Sequence, residues 1–118
     1  MVTGVYTLYT VPSGKKLILN EIFMRVTSYI STTGTSPDIN IGTNAAEHYN
    51  NWASGSNLIN MSAVGINTFN QIKRSSSSPQ PFTNIFSSGN ILKLSFTRGA
   101  QTDDYNFALD LFGYLVDS

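Results

Sequence analysis

Apolar and polar residues alternate along several short stretches of this chain, which is the period of a strand with one buried face. The alternation is clearest at residues 38–42 and 92–97. Clusters of Gly, Pro, Ser and Asn separate the stretches, and no window keeps a helical period for long. The pattern therefore predicts an all-β fold.

The predicted strands lie at residues 5–11, 16–29, 38–42, 57–62, 66–72, 92–97 and 105–116. Residues 45–49 could form a short helical turn, and residues 73–81 are predicted to be an exposed loop. About eight short strands in residues 1–118 favour one domain, a two-sheet antiparallel jelly-roll sandwich. An immunoglobulin-like sandwich has a similar number of strands and is the main alternative.

The first two predicted strands are joined by Val-Pro-Ser-Gly. Pro12 suits the second position of a type I turn and Gly14 the fourth, so we expect this turn to set the register between the two strands. In the second strand Leu17 and Leu19 have the opposite parity to Ile22. A β-bulge near residues 20–21 would place all three side chains on one face.

The long predicted strands carry apolar residues on both faces, although a sandwich strand should bury only one. In the last strand Phe107, Leu109 and Leu111 are at odd positions and so share one face, whereas Phe112 and Tyr114 are at even positions and would lie on the other. In the second strand Phe23 likewise lies on the face opposite to that of Ile22 and Met24. A bulge at Gly113 could return Tyr114 to the inner face but would leave Phe112 unexplained. Since monomers seldom expose such patches, we predict a homo-oligomer interface at Phe23, Phe112 and Tyr114.

Composition narrows the range of functions. Charged residues make up 12% of the chain and give a formal net charge of zero, which disfavours binding to nucleic acid or an anionic membrane. The chain has no cysteine, so a disulfide framework and a thiolate metal site are excluded. No apolar run approaches about 20 residues and no basic, apolar leader begins the chain, so we expect a soluble protein made in a cytoplasm without a signal peptide.

The sequence offers little for catalysis. His48 is the only histidine, and no Gly-x-Ser-x-Gly motif accompanies it. Asp103 and Asp104 are adjacent carboxylates, but calcium takes six to eight oxygen ligands. We therefore predict no catalytic residues, no metal and no cofactor, and consider an enzyme the least supported class.

Residues 48–52 contain the best candidate for a small-ligand site. Tyr49, Asn51 and Trp52 place two aromatic rings beside an amide, and these groups stack on sugar rings and bind their hydroxyls. The alternative interpretation makes the single tryptophan a core anchor, which is commoner in a small sandwich and is favoured here. Glycan contact therefore stays a secondary hypothesis.

Both ends of the chain resemble one family. Residues 5–19, with their Val-Pro-Ser-Gly-Lys turn, and residues 22–26 look like the opening of small jelly-roll proteins in tailed-phage genomes. Residues 107–117, ending in Gly-Tyr-Leu-Val-Asp, are similar to the last strand of those proteins. Together these segments cover about a third of the chain.

The resemblance implies a virion structural protein, usually trimeric. The expected role is that of a capsid decoration (cement) protein, which would bind the major capsid protein or another virion protein and stabilise the shell. The alternative is a carbohydrate-binding or receptor-binding domain of a head or tail fibre. The middle of the chain, residues 43–86, carries no resemblance that would separate these roles.

Overall fold

The computed structural model describes residues 3–30, 38–44, 49, 51–53, 69–72, 84–97 and 104–118. These residues form seven strands: β1 (Gly4–Thr10), β2 (Lys15–Ile30), β3 (Asp38–Gly42), β4 (Phe69–Gln71), β5 (Ile85–Phe86), β6 (Ile91–Thr97) and β7 (Asp104–Asp117). They include no helix, and every strand pair is antiparallel, which confirms the all-β prediction for the part described. The predicted strand at 57–62, the turn at 45–48 and the loop at 73–81 lie outside the described residues.

The strands form two sheets. The first has the order β1-β6-β3, and the second is built around β2. Strand β7 pairs with β2 along almost its whole length, from Lys15↔Asp117 to Ile30↔Asp104. Because β7 occupies one edge of β2, the short strands β4 and β5 share the other edge. Strand β7 is therefore an edge strand among the strands described.

The two sheets enclose one apolar core. Alternate side chains of β2, β3 and β6 point inward, and the ring of Phe96 on β6 contacts that of Phe107 on β7 with centroids 5.8 Å apart. The sheets therefore pack face to face. The buried apolar side chains are Val11, Leu17, Leu19, Ile22, Met24, Val26, Ile39, Ile41, Trp52, Ala53, Ile72, Phe86, Leu92, Leu94 and Phe96.

The predicted bulge in the second strand is confirmed. Leu19 pairs with Gly113 and Glu21 pairs with Phe112, so Asn20 is the extra residue of β2. The bulge brings Leu17 and Leu19 onto the same inner face as Ile22. Strand β7 has no compensating bulge at Gly113, because the irregularity lies wholly in β2.

The turn between β1 and β2 differs from the prediction in position and in role. The Lys15 amide donates to the Pro12 carbonyl at 3.2 Å, so Pro12 is the first turn residue and Gly14, with φ of 76°, the third. A positive φ at the third position is typical of a type II turn. Moreover β1 pairs with β6 and β2 with β7, so this turn crosses between the sheets and sets no register between β1 and β2.

A second turn, at residues 87–90, crosses from β5 to β6 and packs against the first. The Val11 amide donates to the Asn90 carbonyl at 2.9 Å, and the Gly89 amide donates back to the Val11 carbonyl at 3.0 Å. The Ser88 hydroxyl accepts from the Gly14 amide and donates to the Pro12 carbonyl. These bonds fix one end of the two-sheet structure.

Replacement of Gly14 by valine is expected to lower the free energy of unfolding by about 1–2 kcal/mol, because a β-branched residue is strained at positive φ. A Cβ at this position would meet no atom within 4 Å, so steric crowding would not contribute. Urea denaturation should measure the loss. The control is Ser13→Val, which also introduces a valine at an exposed position of the same turn but at a residue without a positive φ. Equal stability of the Gly14 variant and the native protein would contradict the turn geometry.

Candidate functional site

The outer face of the second sheet carries the most exposed apolar surface in the part of the chain described. The bulge fixes which side chains face outward: Ile18 pairs with Tyr114 and with Ile85, and Phe23 follows from the bulge on the same face. Phe112 lies between them, opposite Glu21. We call this surface the β2–β7 outer face and define it by Ile18, Phe23, Ile85, Phe112 and Tyr114.

The side chains of this face remain open to solvent. Phe112 is 52% exposed, Tyr114 53% and Ile85 52%. The rings of Phe23 and Phe112 pack edge to face across the two strands, with centroids 5.7 Å apart and planes at 88°. This contact orders the aromatic cluster without covering it. All three residues of the predicted oligomer interface, Phe23, Phe112 and Tyr114, therefore share one surface.

The charges on this face are balanced. Lys16 and Arg25 lie toward its two ends, and Glu21 and Asp110 lie beside the aromatic pair, as the register of β2 with β7 places them. Two bases and two acids leave the face without net charge. A surface of this kind neither attracts polyanions nor repels a second copy of itself.

A small apolar groove opens on the inner side of β7, at the edge of the two sheets. It has a volume of about 210 Å³ and is lined chiefly by Tyr9, Leu17, Leu19, Leu111 and Leu115. Gly113 is also among its lining residues, and a Cβ there would collide with the carbonyl oxygen of Ile18. Gly113 therefore permits the close approach of β7 to the backbone of β2.

A second pocket lies on the outer face of the first sheet, away from the β2–β7 outer face. It has a volume of about 290 Å³ and is lined by Thr43, Tyr49, Gly89, Asn90, Ile91 and Lys93. Ile91 and Lys93 alternate with the buried residues of β6 and so point away from the core. We call this cavity the Tyr49–Lys93 pocket.

The two residues that give the pocket its name are in contact. The Lys93 ammonium lies over the Tyr49 ring, 5.6 Å from its centroid, which is a cation–π distance. Tyr49 has φ of 60° and is the one non-glycine residue with positive φ among those described. Its amide donates to the Asn44 carbonyl at 2.9 Å, which holds the residue in this uncommon conformation.

The three residues of the predicted glycan site have different roles. Trp52 is fully buried, as the core-anchor interpretation predicts, so it has no surface with which to stack on a sugar. Asn51 is part-buried and fixes the neighbouring loop: its Oδ1 accepts from the Thr43 amide at 2.8 Å, and its Nδ2 donates to the Thr43 hydroxyl at 3.0 Å. Only Tyr49 reaches the pocket.

Sequence reasoning missed the other residues of this pocket. Lys93 and Asn90 are more than forty positions away from Tyr49 in the chain. They approach it because β3 pairs with β6, with Gly42 opposite Lys93. The alternation of β6 could have placed Lys93 on an outer face, but no signal in the sequence identifies the residue that covers it.

Other kinds of site find little support in the described residues. No three His, Asp or Glu side chains among them are grouped to hold a metal ion. His48 and Asp103 lie outside these residues, so their predicted roles are untested. Among the segments described, no helix is long and apolar enough to cross a membrane.

Comparisons with known proteins add no further constraint. The chain has no significant match among protein-family models, curated proteins or solved structures. The functional argument therefore rests on the residues and geometry of the two surfaces and on the resemblance of the chain ends described above.

Proposed function

We propose that this protein is a non-enzymatic virion structural protein that acts by assembly, as a capsid decoration protein that binds the shell as a trimer and stabilises it. The observation that carries the assembly part is the uncovered β2–β7 outer face, where Phe112, Tyr114 and Ile85 are each about half exposed. Soluble monomers seldom expose a contiguous apolar patch of this kind. The virion role and the three-fold state come from the resemblance of the chain ends to phage proteins.

The size of the face suits a protein interface. Aromatic side chains bury about 150–250 Å² each, so Phe112 and Tyr114 at half exposure offer about 100 Å² apiece. Ile85 and the half-buried Ile18 and Phe23 extend this to an apolar area on the order of 400 Å². A standard interface buries about 800 Å² per partner, of which roughly 60% is apolar, so the face has about the area that such an interface needs.

The fold is part of the same proposal. A jelly roll is a sandwich of eight strands, and seven strands in two sheets lie in the described part of this chain. The β1–β2 and β5–β6 turns both pass from one sheet to the other, as consecutive strands of a two-sheet sandwich do. An eighth strand would have to come from residues outside those described.

Native mass spectrometry of the purified protein tests the assembly. We expect a species of three times the 12.9 kDa chain mass at micromolar concentration, because closed symmetric oligomers are the rule and the resemblance to phage proteins favours three-fold over the generally commoner two-fold symmetry. A stable monomer would contradict self-assembly, and a dimer would retain assembly but reject the trimer. The chain should also co-purify with capsids, in a copy number set by icosahedral symmetry.

The Tyr49–Lys93 pocket favours a second candidate, a carbohydrate-binding or receptor-binding domain of a head or tail fibre. The observation that favours this role is that the pocket combines an aromatic ring, a cation and amide or hydroxyl groups. Counting copies per virion separates the two roles. A fibre domain would be present in few copies, whereas a decoration protein would be abundant.

A further inference from the structure

Hydrogen bonds within the protein occupy acceptor atoms of the Tyr49–Lys93 pocket. The Thr43 hydroxyl oxygen accepts from Asn51 Nδ2 at 3.0 Å, and Asn90 Oδ1 accepts from the Ser87 amide at 2.9 Å. A hydroxyl still has its O–H to donate, and an amide group its two N–H bonds. These bonds use part of the acceptor capacity of the two side chains and leave their O–H and N–H donors for a ligand.

The charge of the pocket points the same way. Lys93 contributes an ammonium group with three donors and no acceptor. None of the six lining residues carries a carboxylate. Described lining residues that supply one cation, further donors and no carboxylate suit a ligand with one negative charge and several acceptor oxygens.

The walls of the pocket suit a small ring. Its volume of about 290 Å³ lies at the lower end of the range for small-molecule sites. Ile91, 40% exposed, and the Tyr49 ring supply apolar surface against which C–H groups can pack. Tyr49 has a positive φ, and backbone strain of this kind is often found at binding sites.

We infer that the Tyr49–Lys93 pocket binds the carboxylate-bearing ring of an acidic sugar. Lys93 pairs with the carboxylate, Thr43 and Asn90 donate to ring oxygens, and Ile91 packs against the apolar side of the ring. The pocket lies on the first sheet and the assembly face on the second. This inference therefore does not depend on the capsid role, and an assembled protein would still present the pocket.

Titration of the ¹⁵N-labelled protein with methyl β-glucuronide at low ionic strength, followed by NMR, tests the inference. We expect saturable shifts of the amides of Thr43, Asn90 and Lys93, and much smaller shifts with methyl β-glucoside, which has the same ring without the carboxylate. The Lys93→Gln variant should bind the glucuronide about fivefold more weakly, which is the upper end of the range for a single exposed ion pair. Lys15→Gln, the same change at a half-exposed lysine of the other sheet that belongs to neither surface, should bind as the native protein does.

Three outcomes would overturn the inference. Equal shifts with the glucoside would indicate a neutral-sugar site, and inorganic phosphate binding as tightly would indicate a general anion site. The absence of saturable shifts with the glucuronide would reject the site altogether. The native mass of each sample, recorded in parallel, reports on assembly separately, so a failure of the ligand site is distinguishable from a failure of the trimer.

Discussion

Replacement of Trp52 by alanine is expected to lower the free energy of unfolding by about 3–5 kcal/mol, as removal of a large aromatic from a core does. Trp52 is the largest of the fully buried side chains. Its backbone amide donates to the Ile41 carbonyl at 2.9 Å, which attaches residues 51–53 to the edge of β3 opposite β6. The substitution would therefore leave a cavity beneath the first sheet.

Urea denaturation at one fixed protein concentration should measure this loss, since self-association makes stability depend on concentration. Val5→Ala is the control, because it also truncates an apolar side chain, but at a position that is 51% exposed and lies outside the β2–β7 outer face. Trp52→Phe, which keeps part of the volume, should lose less than Trp52→Ala. A Trp52→Ala variant as stable as the native protein would contradict the core position.

The paired substitution Phe112→Ser and Tyr114→Ser is expected to convert the oligomer to a folded monomer. Each side chain is about half exposed, so serine at these positions removes little from the core while making the β2–β7 outer face polar. Loss of about 200 Å² of apolar contact per protomer corresponds to as much as 5 kcal/mol at about 25 cal/mol per Å². The dissociation constant should rise by at least about a hundredfold, as for removal of interface hot spots.

Analytical ultracentrifugation across a concentration series should detect this change, with circular dichroism as the check that the fold persists. Val5→Ser is the control, because Val5 is 51% exposed but lies on β1 of the other sheet. We expect it to leave the oligomer intact. Dissociation by Val5→Ser, or an unchanged mass for the double variant, would place the interface elsewhere.

Much of the fold follows from the alternation of apolar and polar residues in the sequence and from the places where that alternation changes phase. Strand β3 is found at the predicted residues, and the parity change between Leu19 and Ile22 correctly located the bulge of β2. These features are local, since one buried face repeats every second residue. Strand β5 was missed because its two residues, Ile85 and Phe86, are too short to show a period.

Long-range features were harder to predict, because they depend on which strands meet. The turn at Pro12 was placed one residue early and assigned to a hairpin, although the strands that it joins belong to different sheets. Likewise the predicted site at Tyr49 lacked its partner Lys93, which only the β3–β6 register brings near. The alternation of residues along β2 and β7 was enough to identify the exposed aromatic side chains. The pocket could not be identified in this way, because its residues are brought together by the pairing of β3 with β6.

The pairing of β2 with β7 has a consequence for synthesis on the ribosome. Lys15 and Asp117, which pair at one end of the two strands, are 102 residues apart in the sequence. Strand β1 likewise pairs with a distant strand, β6. Neither β1 nor β2 can gain its partner until a strand far along the chain has been synthesised, so we expect these pairings to form late and slowly. In the meantime the apolar side chains of β2 are uncovered, and the nascent chain must be kept from aggregating.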